Sequence, residues 1–319
     1  MTNQIEPTNF ALDRFRGALV GLSVGDALGT TLEFQRPGTF EPISDMTGGG
    51  PFGLAPGQWT DDTSLALCLA DSLVQRQRFD PRDQIERYAR WRREGLWSST
   101  GHCFDIGNTT SAALDRFELT GEPYSGPSHE RSAGNGSVMR LAPVPMFFTR
   151  DAADAVHYSG QSSRTTHGAS ACIDACRYFG GLIWAAINGV GKPGILTSNY
   201  SPAGQWDDLG PWHAEIEDVA GGSFKRKEPP AIQGSGYVVK SIEAALWAFH
   251  KSTSFEQGAL MAVNLGDDAD TTGAIYGQLA GAFYGIDAIP AKWRGRIALR
   301  DDIISLADRL FALAAGRGR

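Results

Sequence analysis

The sequence predicts an all-α fold. Apolar residues recur at steps of three and four through most of the chain, the spacing that places them on one face of a helix. Alternation with a period of two, which a half-buried strand requires, is almost absent. A chain of 319 residues that is 42% hydrophobic and 20% charged can also bury a sizeable core, as one large domain or two modest ones.

The helices can be assigned in order along the chain, after residues 1–10, which are expected to form a flexible N-terminus. Four apolar series predict helices. They are Leu12, Phe15, Leu19 and Leu22; Leu65, Leu69 and Leu73; Ile242, Leu246 and Phe249; and Ile303, Leu306, Leu310 and Leu313. Asp80 followed by Pro81 predicts an N-cap with proline in the first helical position, and Thr253-Ser-Phe-Glu256 predicts a capping box.

Two glycine stripes and one irregular segment complete the pattern. The stripes, with a glycine at every fourth position, are Gly17, Gly21, Gly25 and Gly29, and Gly273, Gly277, Gly281 and Gly285. Glycine lowers helix propensity, so such stripes are expected where helices pack closely. Between about residues 189 and 235 the helical period gives way to Gly, Pro, Ser and Asp. This segment is either a functional cover or an insertion, and the sequence does not distinguish the two.

Composition and charge argue against several partners. The formal net charge is −7 and the longest basic run is Lys225-Arg226-Lys227, which disfavours nucleic acid and anionic membrane. No apolar stretch approaches the ~18 residues of a membrane span, and Met1 to Phe10 does not resemble a secretory leader. We therefore expect a cytoplasmic protein. The cysteines, expected to be buried free thiols, are Cys68, Cys103, Cys172 and Cys176.

Two acidic segments far apart in the chain carry the strongest chemical signal. They are Thr60-Asp-Asp-Thr63 and Asp267-Asp-Ala-Asp-Thr-Thr272, and they run into helical patterns over Ser64–Val74 and Gly273–Gly285. Crowded carboxylates repel one another unless a cation lies among them, and a purely oxygen donor set suits Mg²⁺, Mn²⁺ or Ca²⁺. If the two segments meet in the fold, four Asp and two Thr are enough for a two-metal centre.

Five segments, taken in order, carry a resemblance to a known family. They are Gly25-Asp-Ala-Leu-Gly-Thr-Thr-Leu-Glu33, Trp59-Thr-Asp-Asp-Thr63, Gly134-Asn-Gly-Ser-Val-Met-Arg140, Ser163-Arg-Thr-Thr-His167 and Gly266-Asp-Asp-Ala-Asp-Thr-Thr-Gly273. The sequence resembles the ADP-ribosylglycohydrolase family, which includes the dinitrogenase reductase-activating glycohydrolases and the ADP-ribosylarginine hydrolases. The resemblance covers about residues 11–315 and implies one compact all-α domain with two divalent cations, Mg²⁺ or Mn²⁺.

Residue by residue, the resemblance also implies roles in metal binding and catalysis. The implied metal ligands are Thr60, Asp61, Asp62, Asp268, Asp270 and Thr271. Glu33 matches an acidic residue that family members direct toward the metals. Asp105 matches a position used near the scissile bond, where a guanidinium leaving group needs a charge partner. Asp105, Glu33 and Asp62 are therefore the expected catalytic residues, while Asp267 is expected only to cap the following helix.

The residues expected to bind the ADP-ribosyl group lie in the remaining motifs. They are Asn135, Gly136, Ser137, Met139, His167, Ser235, Gly236 and Tyr237. The run 134–137 suits an anion nest for the pyrophosphate, although Asn-Gly is first of all a turn sequence. Tyr237 either stacks on the adenine or is an ordinary core tyrosine. His167, with Arg164 as its expected support, either contacts the ligand or is simply a buried histidine.

The resemblance implies a metal-dependent hydrolase, an N-glycosidase that removes ADP-ribose from arginine of a modified protein. An ADP-ribosyltransferase is its expected counterpart. The Gly-Tyr-Val form around Tyr237 resembles the arginine-directed branch more than the serine-directed one. Two alternatives stay open. One is the same fold acting on ADP-ribosylserine or a free ADP-ribose derivative, and the other is an immunity-type protein that binds ADP-ribose or the transferase without turnover.

Overall fold

The computed structural model describes residues 7–204 and 212–316, with only the backbone of residues 7–11. Within these ranges the chain forms α-helices and short 3₁₀ turns without a β-strand, so the predicted all-α fold is confirmed. The α-helices of the described part are α1 Pro7–Gly29, α2 Asp61–Arg76, α3 Pro81–Glu94, α4 Asn108–Thr120, α5 Pro143–Phe147, α6 Ala152–Arg164, α7 Ser170–Ile187, α8 Lys192–Ile195, α9 Ala214–Ala220, α10 Val238–Lys251, α11 Phe255–Val263, α12 Ala269–Tyr284, α13 Ala291–Arg294 and α14 Arg300–Gly316.

Helices α1 and α12 pack against each other along the two glycine stripes. A Cβ atom on Gly17 would lie 2.2 Å from the Gly281 carbonyl oxygen, and one on Gly25 would lie 2.0 Å from the Gly273 carbonyl oxygen. The helices run antiparallel, and no residue larger than glycine fits at these crossings without moving a backbone. The expected close contact is confirmed. It places the last turn of α1 beside the first turn of α12.

Both acidic segments form the start of a helix. The apolar patterns predicted helices from Ser64 and Gly273, but α2 begins at Asp61 and α12 begins at Ala269. The first turn of a helix has unpaired N–H groups and a partial positive charge, which favours Asp there. The acidic residues are therefore part of the helices that present them.

The predicted helix caps differ in accuracy. Asp80 caps α3 as expected, since its side chain accepts a hydrogen bond from Asp83 N at 3.2 Å. The capping box at Thr253 is displaced by one residue. Ser254 is the N-cap of α11 and accepts a hydrogen bond from Gln257 N at 3.2 Å, and Gln257 Oε1 accepts one from Thr253 N at 2.8 Å. The amide of Gln257 thus replaces the expected carboxylate.

A buried glutamine ties α12 to the loop that precedes α5. Gln278 Oε1 accepts a hydrogen bond from Ala142 N at 2.8 Å, and Gln278 Nε2 donates to Val138 O at 2.9 Å and to Met139 O at 3.1 Å. Since α12 also starts at the second acidic segment, one helix fixes both that segment and the loop with the predicted ligand residues 135–139.

In its described residues, the segment 189–235 contains the short helices α8 and α9 and a 3₁₀ helix at Ser223–Lys225, while residues 205–211 lie outside the described part. At the N-terminus α1 already begins at Pro7, and residues 1–6 also lie outside the described part. The four cysteines are free thiols, as predicted, with Cys103 partly exposed. None of the described helices combines the length and apolar character that a membrane crossing requires.

Candidate active site

The first turns of α2 and α12 face each other and bring the two acidic segments together. Thr60 Oγ1 lies 3.0 Å from Asp62 Oδ2 and 3.2 Å from Asp270 Oδ2. Carboxylate oxygens of Asp62 and Asp270 lie within 4.8 Å of each other. We call the resulting cluster the acidic centre. Its members are Asp26, Glu33, Asp61, Asp62, Asp268 and Asp270.

Glu33 lies on the Asp268 side of the acidic centre. A carboxylate oxygen of Glu33 lies within 4.8 Å of carboxylate oxygens of Asp268 and Asp270. Glu33 Oε2 also accepts a hydrogen bond from Ala269 N at 2.9 Å. Glu33, from a turn that follows α1, therefore caps the first N–H group of α12 and is close enough to ligate a metal itself.

Asp267 does not cap α12, so that expectation is wrong. The N-cap residue is Asp268, and the cap hydrogen bond comes from Glu33. Asp267 has a left-handed backbone, with φ of 54°. Its backbone is paired instead with the chain after Glu33, since Asp267 O accepts from Phe34 N and Asp267 N donates to Gln35 O, both at 2.7 Å.

Asp26, on α1, is the member of the acidic centre that sequence reasoning missed. Its Oδ1 accepts hydrogen bonds from Thr60 N at 2.9 Å and Thr60 Oγ1 at 3.0 Å, and its Oδ2 accepts from Thr63 N at 3.0 Å and Thr63 Oγ1 at 2.6 Å. With four donors around its buried carboxylate, Asp26 fixes the start of α2. The sequence did offer one indication of this role, because Asp26 follows Gly25 in the glycine stripe of α1, where the helix packs closely against another.

Burial and mutual repulsion raise the pKa of the carboxyl groups in and around the acidic centre. Burial is the main cause of a pKa of about 10 for Asp105 and about 7 for Asp270. The pKa values of Asp61, Asp62 and Glu33 are also raised, first by burial and then by the charge of neighbouring Asp residues. Such a cluster is unstable in its fully charged form unless cations compensate it.

The donors of the acidic centre fit divalent metal ions. Asp62 Oδ1 is buried without a hydrogen-bond partner in the described structure, as expected of an oxygen reserved for a ligand. Two groups of three carboxylates, Asp26 with Asp62 and Asp270, and Glu33 with Asp268 and Asp270, share Asp270. All donors are oxygen atoms, the preference of hard cations. The acidic centre can therefore hold metal.

A cleft of about 460 Å³ opens onto the acidic centre. Its lining includes most of the predicted residues: Glu33, Asp61, Asp105, Asn135, Gly136, Met139, His167, Gly236, Asp268, Asp270 and Thr271. Asp105 reaches it from the loop before α4, with a left-handed φ of 58°. The cleft thus brings several predicted metal ligands together with Glu33 and Asp105, two of the residues expected to act in catalysis. Part of the predicted substrate-binding set lines the same cleft.

The loop 134–137 forms one wall, but its side chains are engaged within the protein. Asn135 Nδ2 donates to Asp268 Oδ2 and to Ser241 Oγ, both at 2.9 Å, so Asn135 positions a carboxylate of the acidic centre. Ser137 Oγ accepts hydrogen bonds from Ser163 Oγ at 2.9 Å and from Cys176 Sγ at 3.4 Å. The Ser137 hydroxyl therefore points under the loop, and any contact of Ser137 with a ligand falls to its backbone.

His167 reaches the cleft as a buried neutral imidazole. Burial, reinforced by the charge of Arg140, lowers the pKa of His167 to about 3. His167 Nδ1 lies 2.8 Å from Thr166 Oγ1, which accepts from the Arg140 guanidinium at 2.6 Å. The support is therefore Thr166 and Arg140. Arg164, the expected support, instead lies over the Tyr124 ring, with its guanidinium carbon 4.8 Å from the ring centroid.

Residues 235–237 border the cleft at its other predicted wall. Gly236 lines the cleft, and its carbonyl oxygen accepts from Asn135 N at 3.1 Å. The carbonyl oxygen of Ser235 accepts from Asn135 Nδ2 at 3.4 Å. Tyr237 lines a separate cavity of about 160 Å³, where its hydroxyl lies 3.1 Å from Glu215 Oε1. Tyr237 is thus partly exposed, packs against the hydrophobic core, and lies next to the cleft rather than in it.

Comparison with known proteins settles the family. The ADP-ribosylglycohydrolase family profile matches residues 7–319. The chain belongs to the ADP-ribosylglycohydrolase family. The resemblance inferred from the five sequence segments is confirmed.

Within the ADP-ribosylglycohydrolase family the chain is similar to named proteins along most of its length. It is 40% identical over 308 residues to ADP-ribosylarginine hydrolase Tri1 of Serratia proteamaculans (strain 568), covering 97% of this chain and 81% of that protein. It is 33% identical over 308 residues to ADP-ribosyl-[dinitrogen reductase] glycohydrolase of Rhodospirillum rubrum, covering 95% and 97%. A solved ADP-ribosylglycohydrolase-related protein complex superposes with a TM-score of 0.83 at 42% identity, covering 95% of this chain and 99% of that one.

Proposed function

We propose that the protein hydrolyses the N-glycosidic bond between ADP-ribose and an arginine side chain of a modified protein. The observation that carries this proposal is the cleft, in which Asp105 and Glu33 lie beside the predicted metal ligands Asp268 and Asp270. Similarity to proteins named ADP-ribosylarginine hydrolase supports the choice of arginine. The other product is ADP-ribose, and the natural counterpart is an ADP-ribosyltransferase in the same compartment, which we place in the cytoplasm.

The proposed cofactors are two Mg²⁺ or Mn²⁺ ions held by Thr60, Asp61, Asp62, Asp268, Asp270 and Thr271, with Glu33 close enough to join them. When bound, such ions bind and orient vicinal ribose hydroxyls and stabilise negative charge. Asn135 holds Asp268 in position, and Asp26 holds Thr60 and the start of α2. These contacts restrict the donors to one arrangement, which favours catalysis by positioning.

Asp105 and Glu33 are the proposed proton carriers. Burial raises the pKa of Asp105 far above its usual range, which favours a protonated carboxyl group that can give its proton to the departing guanidine. Water adds to the anomeric carbon as the carbon–nitrogen bond breaks, and the proton that water loses returns to a carboxylate. The proton lost by water equals the proton gained by guanidine, so Asp105 and Glu33 together hold the same number of protons before and after turnover. If Glu33 takes the proton from water, exchange with solvent returns both groups to their starting states.

The pyrophosphate and adenosine are proposed to follow the cleft away from the acidic centre, past Gly136 and His167 toward Gly236 and Tyr237. The neutral state of His167 allows it to accept or donate a hydrogen bond without a charge. Tyr237 is the N-cap residue of α10, and its backbone forms a bridge with Gly134 of the cleft wall, so Tyr237 lies beside the cleft. That position suits stacking on the adenine.

Release of ADP-ribose from arginine-modified and serine-modified peptides, with and without Mg²⁺, tests the proposal. We expect metal-dependent release from the arginine peptide, a loss of about 10²–10⁴ in kcat for Asp105→Asn, and unchanged ADP-ribose affinity in that variant. Preference for the serine peptide would reassign the linkage. ADP-ribose binding without turnover of either peptide would instead indicate an immunity-type binding protein.

A further inference from the structure

A large aromatic side chain stands exposed at the mouth of the cleft. Phe34 directly follows Glu33, lines the cleft and has 64% of its surface exposed. In the described part of the chain, Leu119 and Leu299 are exposed to a comparable degree, but neither lines the cleft. Core packing does not explain the position of Phe34, because most of its ring lies in solvent.

The backbone holds Phe34 in this exposed position at a conformational cost. Its φ of 61° is left-handed, a region that bulky side chains strongly disfavour. Phe34 N donates to Asp267 O and Asp267 N donates to Gln35 O, both at 2.7 Å, and these two hydrogen bonds fix the turn to the loop before α12. With its backbone fixed, Phe34 has only its two side-chain torsions left to lose when a ligand packs on the ring.

Two further rings continue from Phe34 toward Asp105. The Phe34 and Phe52 ring centroids are 6.2 Å apart in an edge-to-face contact, and those of Phe52 and Phe104 are 5.4 Å apart. Phe104 directly precedes Asp105. Three aromatic rings therefore lie in a row between two acidic residues of the cleft, since Glu33 precedes Phe34 and Asp105 follows Phe104.

We propose that Phe34 is the residue that selects the guanidinium group, by stacking its ring face on the planar guanidinium of the ADP-ribosylated arginine while the carbonyl oxygen of the Asp105 carboxyl group accepts a hydrogen bond from the guanidinium edge. This assignment rests on the proposed function. Guanidinium stacks on aromatic faces and pairs with carboxyl groups through its N–H edge, so it uses both types of side chain. ADP-ribosylserine is an O-glycoside without a planar cation, and Phe34 gives it no such contact.

The test compares Phe34→Leu, which removes the aromatic face, with Phe34→Tyr, which keeps it. ADP-ribosylagmatine serves as a small substrate, because only its guanidinium group and short chain can reach the mouth. For Phe34→Leu we expect kcat/KM to fall roughly 3- to 30-fold, the range expected from a cation–π contact. Phe34→Tyr and the remote control Leu119→Ala stay close to the parent. Calorimetric affinity for ADP-ribose, which lacks guanidinium, stays within about twofold in all three variants.

Three results would overturn the assignment. Equal turnover of ADP-ribosylagmatine by the parent and Phe34→Leu would remove the selecting role. A matching loss of ADP-ribose affinity in Phe34→Leu would show that Phe34 only supports Glu33 and the acidic centre. A loss seen with a modified protein but not with ADP-ribosylagmatine would assign Phe34 to contact with the protein surface.

A failure of the proposed function can be told apart from a failure of this inference. If the parent cleaves neither ADP-ribosylagmatine nor the arginine-modified peptide, the proposed function is wrong. The role of Phe34 is then decided by titrating agmatine into protein saturated with ADP-ribose. The parent and Phe34→Tyr should bind agmatine at least about threefold more tightly than Phe34→Leu, and equal affinities would overturn the inference.

Discussion

The carboxylate of Asp26 accepts all of its hydrogen bonds from Thr60 and Thr63, the residues that flank Asp61 and Asp62. Its influence on the acidic centre is therefore exerted mainly through the start of α2. Asn135 plays the equivalent positioning role at the start of α12, where its side-chain amide donates to Asp268. Positioning of this kind keeps repelling carboxylates at fixed separations before any ligand arrives.

We predict that Asp26→Asn lowers the free energy of unfolding by about 2–4 kcal/mol, because an amide NH₂ would face donors that now share a carboxylate oxygen. Urea titration gives the free energy. The same variant should bind Mn²⁺ more weakly, since Thr60 and Asp62 lose their fixed geometry. Asp267→Asn is the matched control, because the Asp267 contacts near the site are made by its backbone. Equal stability of the two variants would contradict this role for Asp26.

Single residues also mark the limit of prediction from the sequence. Asp62, Asp268 and Asp270 could be predicted because several oxygen donors occur together in short segments. Asp26 stands alone among apolar and glycine residues, and nothing local reveals which helix start it will meet. The direction of the Ser137 side chain also could not be predicted from the sequence, since a turn sequence does not specify which side of the loop faces a ligand.

At the scale of elements, the contact between α1 and α12 determines where the acidic centre forms. The glycine stripes bring the backbones together, and a Cβ on Gly29 would lie 2.3 Å from the Asp270 Cα. This contact places Asp26 and Glu33, from the end of α1 and the turn after it, against the first turn of α12. The sequence predicted that each stripe packs closely, but periodicity alone could not show that the stripes pack on each other.

We predict that Gly277→Ala lowers the free energy of unfolding by at least about 2 kcal/mol, because its Cβ would lie 2.0 Å from the Gly21 carbonyl oxygen and neither backbone can yield locally. Metal affinity should fall as well, since α12 must shift relative to Asp26. Gly316→Ala is the control, because a Cβ there meets nothing within 4 Å. Thermal unfolding in chelator measures the loss of stability, and the increase in the unfolding temperature on adding Mn²⁺ reports the change in metal affinity. A fully stable Gly277→Ala protein would contradict the packing described.

At the scale of the whole molecule, the net charge of −7 is compatible with an anionic ligand because several carboxylates are concentrated in one centre. Bound cations would neutralise the cleft locally while the rest of the surface stays acidic. The motif order along the sequence allowed the fold family and the two-segment centre to be predicted. The cleft rim around Phe34 required the structure, since it depends on three loops that carry no shared motif.

Acid should destabilise the whole fold partly through His167. Its pKa of about 3 in the folded state is below the ~6.5 of an unfolded histidine, so the unfolded state binds the proton first as the pH falls. Protonation of His167 in the unfolded state has almost no effect on stability above pH ~6.5. Between pH 7 and pH 5 it lowers the free energy of unfolding by about 1–2 kcal/mol. Urea titrations in chelator should show a smaller acid-induced loss for His167→Gln than for the parent. Equal losses would mean that His167 is protonated in the folded protein.

We predict that the first turns of α2 and α12 together form a two-cation centre. The decisive measurement is calorimetric titration of Mn²⁺ into metal-free protein, in two buffers that differ in ionisation enthalpy. We expect two Mn²⁺ per chain, release of protons from carboxyl groups of raised pKa, and loss of binding in both Asp62→Asn and Asp270→Asn. Absence of Mn²⁺ binding, or binding that both substitutions leave unchanged, would contradict it.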